Sequence, residues 1–292
     1  MRKREESKKY NTKINSGINA GSGMYQASVM KRVVDRAGHC KNLKGHVNEI
    51  LAVDKINLSP KNILSGRHAS LTKSAIAKRD DIVIKKAGKV VGRMQLKDTP
   101  SSIDSTIKRV MNHQYKGTKL VGTIETVDAY NKVIAKNGQK KVSQKMVSNN
   151  ISSTETDVLA RLVLGTGLKG SGKGIAKISN RSACVGAAIN GGVCAVTSAI
   201  DVKNGKKTWQ EGVVDTAKGA AKSYVSVGAG QAADLGITIL VASTPLAPAA
   251  KAIGTVGGMG VSYGVEKTLD ACEKMIKNDF LGKEETEYED RR

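Results

Sequence analysis

The amino-acid sequence predicts an α+β or α/β protein in two parts: a small mixed sheet flanked by helices, then a Gly/Ala-rich segment that is all helix. The first observation is the stretch 81–97, DIVIKKAGKVVGRMQLK, in which two Val/Ile-rich runs flank Ala87-Gly88 in the pattern of a β-hairpin. The second is the recurrence of apolar residues at helical spacing on both sides of that hairpin. The third is a change of texture at Ser182, after which Ala, Gly, Val and Ser dominate and a 19-residue run, Ser182–Ile200, carries no charge.

In chain order, residues 1–45 read as a basic arm and a short helix. Up to Gly23 the chain is polar and rich in Lys, Asn, Ser and Gly, a composition expected to stay disordered until a polyanion arrives. From Met24 to Arg36, Met30, Val33 and Val34 fall at helical spacing. Residues 46–150 are the expected core. Gly45–Asn57 is a helix with Val47, Ile50 and Leu51 inward, and Leu58–Arg79 is a long connection, interrupted by Pro60 and Gly66, with one helical turn at most. After the hairpin, Pro100 ends the strand, and Ser101 or Ser102 caps a helix bearing Ile103, Ile107, Val110 and Met111. Lys119–Thr123 is a third short strand and Val127–Ala135 a further helix. Residues 151–181 read as a linker holding a short helix, Thr154–Leu164, and a glycine-rich hinge. Residues 182–280 form the helical module and 281–292 a charged tail.

The 292-residue chain is 39% hydrophobic but only 3% aromatic, so small aliphatic residues must do most of the packing. Its formal charge of +22 is unevenly spread: residues 1–150 hold 31 Lys/Arg against 11 Asp/Glu, and residues 151–292 hold 17 against 15. A basic half beside a near-neutral one suits a polyanionic partner, nucleic acid ahead of an anionic membrane surface. The phosphate-binding candidates are Lys3, Arg4, Lys8 and Lys9 of the arm, Arg67, Lys73, Lys78 and Arg79 of the long connection, Arg93 of the hairpin, and Lys108 and Arg109 off their helix's apolar stripe. Charge alone gives salt-dependent affinity, not chemistry. Cys40, Cys184, Cys194 and Cys272 have no zinc-site spacing and read as reduced packing residues of a cytosolic protein. No apolar h-region follows the first residues, so a signal peptide is not expected.

The hairpin carries polar groups where a strand needs none. Side chains alternate faces, so Val91, Arg93, Gln95 and Lys97 share one face while Val90, Met94 and Leu96 share the other. With a loop of two or three residues, Asp81 falls opposite Met94 or Gln95, bringing a carboxylate, an amide oxygen and an ammonium together. A carboxylate and a second oxygen can hold Mg²⁺, and a nearby lysine can orient a water or offset developing charge, which is the equipment of phosphodiester hydrolysis.

At these residues the sequence resembles the PD-(D/E)XK, or restriction-endonuclease-like, nuclease superfamily, over about residues 46–135. The resemblance implies Asp81 as the motif aspartate, Gln95-Leu96-Lys97 as a Q-x-K form of its acid-x-lysine, and Glu49 as the glutamate of the preceding helix. Asp80 stands where the motif has proline. It further implies Mg²⁺ or Mn²⁺ held by Asp81, Glu49 and Gln95, Lys97 as the water-orienting group, DNA or RNA as substrate, and an αβββαβ core, of which three strands are legible here. His46, three residues before Glu49, shares that glutamate's helix face.

Two glycine motifs carry no chemistry. Gly165, Gly167 and Gly170 match G-x-G-x-x-G without a preceding strand, and Gly167–Lys173 matches the Walker start with Gly174 in place of Ser or Thr. In the helical module, small residues recur four apart, as in Ala187/Gly191, Gly254/Gly258 and Gly260/Gly264, which resembles the glycine-zipper segments of bacterial membrane-active proteins. Residues 182–265 therefore read either as membrane-inserted helices or as a buried α-hairpin in a water-soluble domain, and they are the segment expected to meet a membrane, a helical partner or a second copy. Three functional classes stay open: a metal-dependent nuclease, of the kind found in bacterial toxins and phage-defence effectors; a membrane-active protein with a basic lipid- or nucleic-acid-binding half and no catalysis; and a non-enzymatic nucleic-acid-binding protein. The expected location is the cytoplasm, with inner-membrane association if the helices insert.

Overall fold

A computed structural model describes residues 2–38, 43–73, 80–136, 142, 144–166, 171–242 and 249–289, without the side chains of 2–13, 102, 274 and 276–289. It divides into two compact units, Tyr25–Lys177 and a second made of Met1–Met24 with Ile178–Arg292. The class is α+β: a mixed five-stranded sheet with helices, then a long helical segment.

In the sheet unit, the strands β1 (Arg67–Leu71), β2 (Ile82–Lys86), β3 (Lys89–Lys97), β4 (Lys119–Gly122) and β5 (Val147–Ser148) lie in sequence order. The first three are antiparallel and the last three parallel. The β2–β3 hairpin closes through Ala87 and Gly88, both at positive φ (47° and 77°), a two-residue turn whose twist suits the strands although alanine rarely adopts it. A bulge after Ile84 pairs that residue with Gly92 and the next with Val90. It removes Val91 from the alternation and leaves Arg93, Gln95 and Lys97 in step.

The parallel strands connect through α4 (Ile103–Met111) and α5 (Ile124–Lys136). Successive residues of β4 serve opposite faces. Leu120 joins Ile103, Ile107, Val110, Tyr115, Tyr130 and Met146 in one core, while Val121 joins Ala52, Ala69, Ile82, Leu96 and Ile151 in the other. Each large aliphatic side chain so buried contributes about 1.5–3 kcal/mol. The second core is covered by α2 (Leu43–Asn57), whose Leu51, Val53 and Ile56 pack against it. The helix α6 (Ser153–Leu164) belongs to this unit and buries Val158, Leu159 and Leu162. It starts with a capping box, Ser152 and Glu155, and ends on Gly165 in the left-handed conformation.

The structure corrects two expectations. The connection Leu58–Arg79 is not a plain loop: it holds α3 (Pro60–Leu64) and strand β1, which pairs along the whole of β2. The first residues are not a disordered arm, because α1 runs unbroken from Arg2 to Ala37.

In the helical unit, the first part of α1 packs with α7 (Gly172–Lys203) from Ile178 onward, α8 (Trp209–Ala242) and α9 (Ala250–Glu289). Asn15 gives the polar α1 stripe its purpose: it donates to Glu266 Oε2 at 3.3 Å and accepts from Ser223 Oγ at 2.5 Å. Helices α8 and α9 approach so closely that a Cβ at Gly258 would lie 2.5 Å from the Gly230 carbonyl oxygen. Gly254 is equally closed in by Asp234 and Thr238, whereas Gly260 and Gly264 face open space. Only the first of those two small-residue pairs is an interface.

Candidate functional site

The polar cluster lies where β2 begins and β3 ends. The pairing Ile82↔Met94 and the bond from the Asp81 amide to the Met94 carbonyl (2.8 Å) set Asp81 across from Gln95. Ile82 and Leu96 occupy the α2-side core, so Asp81, Gln95 and Lys97 turn to the opposite face. Asp81 Oδ2 accepts from the Leu96 amide at 2.6 Å and from Gln95 Nε2 at 2.5 Å. That orientation of the Gln95 amide aims its nitrogen at the carboxylate and leaves its oxygen, Oε1, buried with no hydrogen-bond partner.

Burial is the main cause that pushes the Asp81 carboxyl up from 3.8 to about 6. The Leu96 amide bond opposes it, the Glu49 charge adds to it, and the charges of Lys97 and Arg36 oppose it. Glu49 and Lys97 therefore act on Asp81 through their fields. Glu49, on α2, is 8% exposed, accepts from Arg36 Nε at 3.1 Å, and lies 3.4 Å from His46 Nδ1. Arg36 is also tied to the Thr72 carbonyl at 2.9 Å. The Lys97 ammonium sits over the Tyr115 ring, 5.3 Å from its centroid. Of the four residues read from sequence, Asp81 and Gln95 touch directly, while Glu49 and Lys97 are held by other partners.

No group of three His, Cys, Asp or Glu suited to a metal occurs among the described residues. The donors present, one ionisable carboxylate and one free amide oxygen, are hard oxygen ligands and fit Mg²⁺, which takes few protein ligands and keeps waters and phosphate oxygens.

The basic candidates divide. Arg93 is paired to Asp80 at 2.5 Å, so its charge is compensated. Arg67, Lys73, Lys108 and Arg109 are exposed, Arg67 on a strand rather than a loop. Lys73 joins Arg32 and Arg36 in lining a cleft of about 410 Å³ together with Asp35, Ile50, Val53 and Leu71. Lys3, Arg4, Lys8 and Lys9 lie on α1 but their side chains are outside the described ones, and Lys78 and Arg79 lie outside the described residues.

Sequence reasoning missed Arg36, Arg32 and Tyr115, which nothing in their local pattern singles out. It also passed over Asp98. This side chain is fully buried, accepts from Ser153 at 2.6 Å, Thr156 at 2.5 Å and Thr123 at 3.2 Å, and has Lys44 at 3.7 Å. Burial pushes its carboxyl up against those bonds. Its partners come from β4–α5 and α6, so it ties the ends of the parallel strands together. Gly167 and Gly170 lie outside the described residues. Gly174 packs against Val158 and the Thr154 carbonyl, a steric role and not a phosphate cradle.

The fold and this cluster define an α+β protein whose mixed sheet carries a buried carboxylate–amide pair on adjacent strands. Comparison with protein-family models, with curated proteins and with solved structures finds no match.

Proposed function

We propose that the Tyr25–Lys177 unit is a Mg²⁺- or Mn²⁺-dependent nuclease of the restriction-endonuclease-like kind, using the Q-x-K form of its motif. The observation that carries this reading is the buried Asp81 carboxylate bonded to the amide nitrogen of Gln95, whose oxygen is buried without a partner, two residues before Lys97. A metal bound there supplies Lewis acidity at the phosphoryl oxygen and a more acidic water. Asp81 provides the charged ligand and Gln95 a neutral one. Glu49, whose charge Asp81 feels from α2, would join the ligands only on parting from Arg36, and the guanidinium would then be available to a phosphate. Lys97 keeps an ammonium on the same strand face as Asp81, where it orients the attacking water and offsets charge on the phosphoryl oxygens. Arg32 is held in a two-pronged pair by Asp54, so Lys73, with Arg36 once released, gives the cleft its affinity for a sugar–phosphate backbone, and such contacts position without reading sequence.

The test is incubation of the full chain with single- and double-stranded DNA and RNA in Mg²⁺, Mn²⁺ or EDTA, beside Asp81→Asn and Lys97→Ala. Cleavage should require metal and fall by at least about a hundredfold in both variants, while salt-sensitive binding persists. Binding without cleavage of any substrate in any divalent metal would sink the reading.

A further inference from the structure

The helical unit buries polar side chains while leaving large apolar ones exposed. Asn15, Asn19, Gln231 and Asp234 are at most 1% exposed, while Val196 is 63%, Val213 61%, Val256 65% and Trp209 69% exposed. Beside Val227, Leu235 and Ile239, the interior holds a chain of polar contacts. Gln231 accepts from Ser22 at 2.9 Å and donates to Asn19 Oδ1 at 3.2 Å, and the Ser226 and Ser262 hydroxyls are buried without partners. In water the hydrophobic effect selects the opposite arrangement.

We propose that the outward faces of α7, α8 and α9 are a surface for the hydrocarbon of a lipid bilayer, into which this unit inserts around its polar interior. Length supports lipid as the occupant. The most apolar 18-residue windows of α7 and α8 have mean hydropathies of 1.6 and 1.5 and span about 27 Å at ~1.5 Å per residue, close to a hydrocarbon core of about 30 Å. Only 22% and 44% of those windows is buried, whereas the core helix of a soluble protein would be mostly covered. Breadth supports it too. Val213 and Val214, like Tyr224 and Val225, are exposed neighbours about 100° apart around α8, and α7 and α9 expose Val185, Ile189, Val256 and Val261 as well. A single protein partner covers one face, whereas lipid surrounds all of them.

The ionisable groups inside the apolar stretches are arranged as lipid requires. Asp234 faces inward, where it accepts from Lys251 at 2.8 Å on each oxygen and from Thr238 at 3.1 Å, and Glu266 is held by Asn15. At the turn between α7 and α8, Lys203, Lys206 and Lys207 flank Trp209, a combination suited to a headgroup region.

The experiment is flotation of the full chain with neutral phosphatidylcholine vesicles in about 1 M salt, where the Debye length is ~3 Å and the attraction of a +22 chain is screened. The chain should float, and the emission of Trp209, its single tryptophan, should shift to the blue. Replacing three outward side chains together, Val196→Asn, Val225→Asn and Val256→Asn, should cut the floated fraction at least about tenfold, while Gln231→Leu in the interior should leave it intact. A chain that stays out of neutral vesicles, or leaves them in high salt, overturns the proposal. So does a lipid-free dimer that the triple variant splits, because a second copy would then cover these faces. If the triple variant does not fold, high-salt flotation of the unmutated chain decides.

Discussion

Replacing Asp81 by asparagine should stabilise the metal-free sheet unit, and only above a definite pH. The carboxyl titrates near 6 in the folded chain against an ordinary 3.8, so the folded state prefers it protonated. Below about pH 4 both states are protonated and the preference costs nothing. As pH rises through 6 that stability is lost, and at pH 7.5 the loss is about 3 kcal/mol at ~1.4 kcal/mol per pH unit. Asparagine never ionises. Its side-chain oxygen, set where Oδ2 of Asp81 lies, can keep both the Leu96 amide bond and the Gln95 Nε2 bond. The advantage of Asp81→Asn should therefore be near zero at pH 4 and grow to about 3 kcal/mol, roughly a hundredfold in amide-exchange protection, at pH 7.5 in EDTA. The assay is hydrogen exchange of the β2–β3 amides at both pH values, read as protection factors. Asp98 also loses stability with rising pH, but equally in both proteins, so the difference isolates Asp81. A difference that does not grow with pH would refute the reasoning that burial governs this carboxyl. On the nuclease reading, millimolar Mg²⁺ should then close the gap by stabilising the unmutated chain alone.

The other predictions concern neighbouring groups. Gln95→Glu places a second carboxylate against Asp81. It should lower protection of β2–β3 in EDTA above pH 6 and tighten Mg²⁺ binding measured calorimetrically, whereas unchanged affinity would argue against Gln95 as a ligand. Arg36→Ala leaves the buried Glu49 carboxylate and the Thr72 carbonyl short of a donor. It should destabilise the sheet unit by about 3 kcal/mol in chemical denaturation, and a loss under 1 kcal/mol would show the pair to be solvated. Ala87→Asn relieves the positive φ of the hairpin turn and should stabilise the hairpin by about 0.5–1 kcal/mol, seen as slower exchange of its amides.

The legible parts of the fold are those in which a residue's neighbours in sequence settle its environment. The hairpin was readable because Val and Ile crowd both arms and Ala87-Gly88 separates them. The helix α4 was readable from Ile103, Ile107 and Val110, which all enter one core. The contact of Asp81 with Gln95 was legible only in part, because a two-residue turn alone sets Asp81 opposite Met94 and the bulge after Ile84 moves it to Gln95. Strand β1 was not readable, since RHASL has no β-branched residue and becomes a strand by pairing along β2. Strand β5 has two residues, too few for any period.

By itself the sequence determined the α+β class, the asymmetry of charge, the apolar helical segment and the alternation that puts Gln95 and Lys97 on one strand face, because each depends on composition or on a period of a few residues. Only the tertiary structure decided that Arg36 holds Glu49, that Lys97 rests over Tyr115, and that Asn15 and Gln231 go inside while Val196 and Val256 stay out. Those outcomes join residues from 13 to more than 200 positions apart. At such separations, what a side chain meets is set by the packing of whole elements, and no local pattern encodes the choice between an inward and an outward face when both are available.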